Sequence, residues 1–194
     1  MVHIWSWRRS FRDSLRQLRD GRTVAPPPDD IEAFNAEELA KGAGVPLAEA
    51  AERSEGTLTE IIDLWNEVGA RPMSWYVANT TGDAAIRNSY HHPRIHIAEH
   101  YQQRGDRATY TRMLEESADD LRRAQSIPHT LGAALYNLSL ARVAGGRHDE
   151  AIALLEEALP MRPDIRAAAS EDADLAPLRS DPRFQAMLGE PSKR

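Results

Sequence analysis

The chain has 194 residues, 41% apolar and 28% charged, which are ordinary values for a folded protein of one large domain or two small ones. A net charge of −6 argues against a nucleic acid or an anionic membrane as partner, because both select basic surfaces. The absence of cysteine excludes disulfides, thiolate metal sites and a cysteine nucleophile, and fits a reducing, cytoplasmic location. No apolar run approaches the ~20 residues of a membrane span, and no continuous apolar stretch follows the first arginines as a secretory signal would require.

In chain order, Ile4, Trp7, Phe11, Leu15 and Leu18 recur three or four residues apart before Gly21, which predicts an amphipathic helix over about 2–20. Arg8, Arg9, Arg12, Arg16 and Arg19 are read as its solvated face. TVAPPPDD breaks the helix, since prolines lack the backbone donor. Asp29 or Asp30 then caps a short helix that Gly42 ends. Leu47, Ala51, Ser54, Leu58, Ile61, Trp65 and Val68 alternate four and three apart, a bundle seam with Ser54 as its polar member, closed by Gly69 and Pro72. MSWYVANTTGD reads as a loop or short β-prone passage in which Trp75 and Tyr76 are placed to line a pocket. Asp83 is expected to open a helix running to about Gln103. Tyr110, Leu114, Ala118, Leu121 and Ala124 line a further helix that ends before Pro128. With no strand-like alternation of any length, the chain is predicted to be all-α.

The helix around NSYHHPRIHIAEH carries most of the chemistry. His92, His96 and His100 stack at i, i+4 spacing, ~6 Å apart on one face. Neutral imidazoles bind first-row divalent metals well, and a third histidine from another helix would leave open positions for water or substrate. His91 points about 100° away from His92. Pro93 threatens the geometry, because a proline within a helix deletes a hydrogen bond and clashes with the preceding turn. Glu99 and Asp83 are the carboxylates nearest in sequence to a supporting role. His129 and His148 read as surface or turn residues. No phosphate loop, Gly-x-Ser-x-Gly or nucleotide fingerprint is present, so no organic cofactor is implied.

Two resemblances extend this reading. Residues 129–163 resemble a tetratricopeptide repeat, with Ala151 and Ala158 at the small positions of its second helix, Leu135 and Leu138 at the packing positions of the first, Gly145-Gly146 at the turn and Pro163 at the end. The following DADLAPLRSDPRFQAML resembles the segment that often closes such repeats, with Asp181-Pro182 opening a cap helix faced by Phe184 and Leu188. Asp30-Ile31-Glu32-Ala33-Phe34-Asn35, together with Asn88, Ser89, Tyr90, His92 and His96, resembles the DinB-like four-helix bundle superfamily, nearest its branch of colibactin self-resistance proteins. His3 and Trp7 match the end of that family's remaining histidine motif. The resemblance implies a divalent metal (zinc, nickel or iron) held by His3, His92 and His96, and metal-dependent hydrolysis, thiol transfer or isomerisation of a small electrophilic substrate; it identifies no catalytic side chain.

The expected architecture is therefore a DinB-like bundle over 1–105, lacking the family's opening helix, and a tetratricopeptide-like hairpin with its cap over 106–194. Three long helices leave one bundle stripe open, which the helix at 107–125 folds back to fill, a second subunit covers, or a segment upstream of Met1 supplies, making a monomer or a homodimer. The alternative function is a non-catalytic interaction protein whose repeat recruits a peptide or protein partner, with the bundle as scaffold.

Overall fold

Two amphipathic helices form where the apolar spacing places them, α1 (Val2–Arg19) and α3 (Leu47–Val68), with the short α2 (Ile31–Lys41) between them where its cap and stop signals put it. Asp30 caps α2 by accepting from the Ala33 amide at 2.9 Å. Gly69, at φ 70°, supplies the left-handed residue that ends α3. In the computed structural model, which describes residues 1–189, the chain falls into two compact units, Met1–Pro93 and Arg94–Arg194. Their boundary lies inside the histidine helix.

In the first unit α1 packs chiefly on α3. Ile4, Trp7, Phe11 and Leu15 of α1 are buried, as are Ala50, Ile61, Leu64 and Val68 of α3. The buried stripe of α3 differs from the predicted seam. It runs through Ala50, Ser54, Thr57, Ile61, Leu64 and Val68, whereas Leu47 is 71% exposed, Trp65 37% exposed and Leu58 only half-buried. The reason is a charge. Arg8, expected on the solvated face, is buried, and its Nη1 donates to the Ser54 carbonyl (3.2 Å) and hydroxyl (3.0 Å). A buried guanidinium requires acceptors, so α3 turns its polar residues inward at that level.

The β-prone passage is a two-stranded antiparallel hairpin, β1 (Pro72–Trp75) and β2 (Ala78–Thr80), the one departure from helix among the described elements. Trp75 is core rather than pocket, 1% exposed and set edge-on to Phe11 at 5.4 Å. A continuous helical run follows: α4 (Thr81–Ala85), a π-helical segment (Ile86–His91) and α5 (His92–Gln103). It opens at Thr81, earlier than Asp83, because the Thr80 hydroxyl accepts from the Asp83 amide at 3.1 Å.

Beyond Pro93, α6 (Arg107–Arg123), α7 (Pro128–Ala144) and α8 (His148–Met161) are followed by short α9 (Arg166–Glu171) and α10 (Pro182–Gly189). Leu114 and Ala118 share a buried cluster with Ala98 of α5 and Leu135, Leu138 and Ala158 of the α7–α8 pair. Those helices supply the wider apolar surface that a lone hairpin lacks. Close approach of α7 and α8 depends on Gly132, where a Cβ would lie 2.8 Å from Arg162 Cγ and 2.9 Å from Met161 Cβ. On the other side of α8, Ile152, Leu155 and Leu159 join Leu175, Leu178 and Phe184, so the cap helix completes a second cluster. No helix among the described residues is long and apolar enough to cross a membrane.

Candidate metal centre

His3 stands in the first turn of α1 and His92 is the first residue of α5, 89 positions later. Their Nε2 atoms lie 3.1 Å apart, with the rings edge to face at 74°. His96 follows one turn along α5, and one ring nitrogen from each of the three lies within 4.8 Å of the others. Among the described residues this is the one grouping of three or more histidine or carboxylate side chains close enough to share an ion. All three imidazoles are partly exposed.

The donor set fits a divalent metal. Nitrogens bound at ~2.0–2.1 Å and subtending roughly 90–110° at an ion stand about 2.9–3.4 Å apart, and the His3–His92 separation falls in that interval. His96 Nδ1 pairs with Glu99 Oε2 at 3.1 Å, which leaves Nε2 as the nitrogen available to an ion; a carboxylate on the far nitrogen is the usual support of a ligating imidazole. Asp83, the other carboxylate considered, instead accepts from the Thr80 hydroxyl at 2.7 Å.

Pro93 is accommodated by the π segment. The His92 amide donates back five residues to the Arg87 carbonyl, so the turn before the proline is wider than an α turn, and α-helix resumes at His92. His92 and His96 therefore keep their one-turn spacing on α5. His91 is buried on another face at 6% exposure, and His100, exposed, lies edge-on to Tyr101 at 6.0 Å.

Trp7 forms the wall behind the pair. Its ring is 6.4 Å from both His3 and His92, 4.8 Å from Phe34 and 5.8 Å from Tyr76, and its Nε1 donates to Asn35 Oδ1 at 2.9 Å. Phe34 and Asn35 of the AFN motif thus orient the tryptophan. Tyr76, at the hairpin tip, adopts φ 52°, a left-handed conformation rare for a bulky residue. Its hydroxyl donates to the Pro28 carbonyl at 3.3 Å, Arg87 lies over its ring at 5.3 Å, and burial raises its pKa, which keeps it a donor. Sequence reading placed Trp7 in the core without seeing that it touches both imidazoles. The signal was the His3–Trp7 spacing of one helical turn. Comparison of the chain with known families, with curated proteins and with solved structures gives no match.

Proposed function

We propose that the protein is a metal-dependent enzyme acting on a small molecule, with His3, His92 and His96 holding one divalent zinc, nickel or iron ion. The observation that carries this reading is the convergence of three imidazoles from two helices, two of them with Nε2 atoms 3.1 Å apart. Unlike charged ligands, neutral imidazoles suit these ions and leave their Lewis acidity largely intact. Bound there, such an ion would supply activation of water or a thiol, or polarisation of an electrophile, near neutral pH. The chain's own residues then divide the remaining work. Glu99 fixes the tautomer and tilt of His96, Trp7 shields one side of the His3–His92 pair, and the partial exposure of the three rings leaves the other side open to solute.

Within the same reading, residues of the first unit form a DinB-like bundle, and α7–α8 with α10 form a tetratricopeptide-like hairpin and its cap. The buried alanines Ala151 and Ala158 support the latter, as does the approach at Gly132. Protein purified without a histidine tag is expected to carry, or after reconstitution to bind, one divalent ion per chain by elemental analysis, and His96→Ala to lose it. Stoichiometric metal surviving His96→Ala, or no metal in the parent after reconstitution with zinc, nickel and iron, would overturn the proposal.

A further inference from the structure

Arg8 is a cation almost entirely removed from water, 8% exposed, on the helix that presents His3. Its hydrogen-bond acceptors are neutral: the Ser54 carbonyl and hydroxyl, and the Ser89 carbonyl, which Nη2 reaches at 3.1 Å. Burial depresses its pKa, with exposed Glu55 acting weakly in the opposite sense. Burying a guanidinium against neutral groups costs free energy, so its position calls for a reason.

Ser89 provides one. In an α-helix the carbonyl of residue 89 would accept from the amide of residue 93. That residue is proline and has no N–H. In the wider π register set by the His92–Arg87 bond, the carbonyl facing residue 93 is that of Asn88, so the missing N–H removes a donor from the Asn88–Ser89 turn that leads into His92, and the Ser89 carbonyl of that turn is the one Arg8 reaches. A second bond runs the opposite way, since Asn88 Nδ2 donates to the Trp7 carbonyl at 3.3 Å. Consecutive residues of α1, Trp7 and Arg8, are therefore tied to consecutive residues of the π segment, Asn88 and Ser89. Both ties are buried.

We propose that Arg8 is a positioning residue: its guanidinium brings a donor to the turn from which Pro93 withdraws one and, with Asn88, clamps the π segment to α1 so that His92 meets His3. The clamp sets the register between two helices that carry imidazoles 89 residues apart in sequence. Proline and arginine form one device. Pro93 withdraws a donor from this turn, and Arg8 latches onto the turn through the Ser89 carbonyl. This inference rests on the metal-centre reading for its consequence, but the clamp itself is a property of the metal-free protein.

The test has two readouts. In metal-free protein at neutral pH, NMR should detect a cross-relaxation contact between the ring protons of His3 and His92, and Arg8→Met should abolish it while the helical circular dichroism remains. Zinc binding, measured by competition with a chromogenic chelator, should weaken roughly 10- to 100-fold in Arg8→Met, the range typical for loss of a group supporting a ligand. In the Pro93→Ala background, where residue 93 regains its N–H, the effect of Arg8→Met should shrink at least threefold. An Arg8→Met protein that keeps the ring contact and binds zinc within twofold of the parent overturns the proposal. So does an effect of Arg8→Met that is equal in the parent and in the Pro93→Ala background. If Arg8→Met does not fold, the double variant decides: recovery of folding by Pro93→Ala supports the latch, and failure to recover refutes it. A parent that shows the ring contact but binds no zinc would sink the metal reading alone.

Discussion

Leu114 offers a quantitative check on where α6 belongs. Its side chain is 4% exposed, within the cluster of Ala98, Ala118, Leu135 and Leu138. Leu114→Ala removes three carbons, worth ~2.4 kcal/mol of transfer free energy at about 0.8 kcal/mol each. The cavity left by incomplete relaxation brings the expected loss to about 3–4 kcal/mol, against a gain in helix propensity of only a few tenths. Native-state hydrogen exchange of the α7 amides reads this cost locally, without requiring the whole chain to unfold in one step. A double-mutant cycle with Leu135→Ala should show a coupling of at least ~0.5 kcal/mol, because the two side chains share one cluster. Had α6 completed the bundle of the first unit, Leu114 would couple instead to Phe11. A loss under ~1 kcal/mol at the α7 amides, or additivity with Leu135 and coupling with Phe11, would refute the packing argument.

Two further outcomes follow from the same physics. Tyr76→Gly relieves a left-handed backbone worth ~1–2 kcal/mol, but gives up the tilted ring contact with Trp7, the Arg87 contact and the bond to Pro28, together worth about 2–4 kcal/mol. The variant should melt at a lower temperature, and a higher melting temperature would show that strain prevails. Glu38, 6% exposed, links α2 to α1 through Arg9 and is also bonded by Lys41 at 2.9 Å. Burial raises its pKa, but the Lys41 hydrogen bond and the Arg9 and Lys41 charges outweigh it and leave the carboxyl below its ordinary value. A depressed folded-state pKa gives stability that is full above the unfolded value near ~4.3 and lost as pH falls through the folded one. Acid titration should therefore loosen α2 below about pH 4, and Glu38→Gln should flatten that part of the stability profile; an unchanged profile would contradict it.

Helix positions were legible in the sequence because their determinants are local. Apolar spacing, Asp30 as a cap, and glycines at φ 70° after α1 and α3 act over a few residues, and the predicted bounds fell close to the observed ones. The i, i+4 relation of His92 and His96 is of the same kind, since one helical turn sets it. What no local rule contained was the choice of partner. Arg8 among five arginines on α1, Ser54 and Thr57 rather than Leu58 on the inner side of α3, and α7 as the neighbour of α6 each depended on groups beyond the reach of any local pattern. The meeting of His3 with His92 is the extreme case, made by side chain-to-backbone bonds that cross 81 positions. Burial of a charge or an unpaired carbonyl costs more than a helix's preference for one face over the next, and only the packed tertiary structure brings the groups that settle it within hydrogen-bond reach.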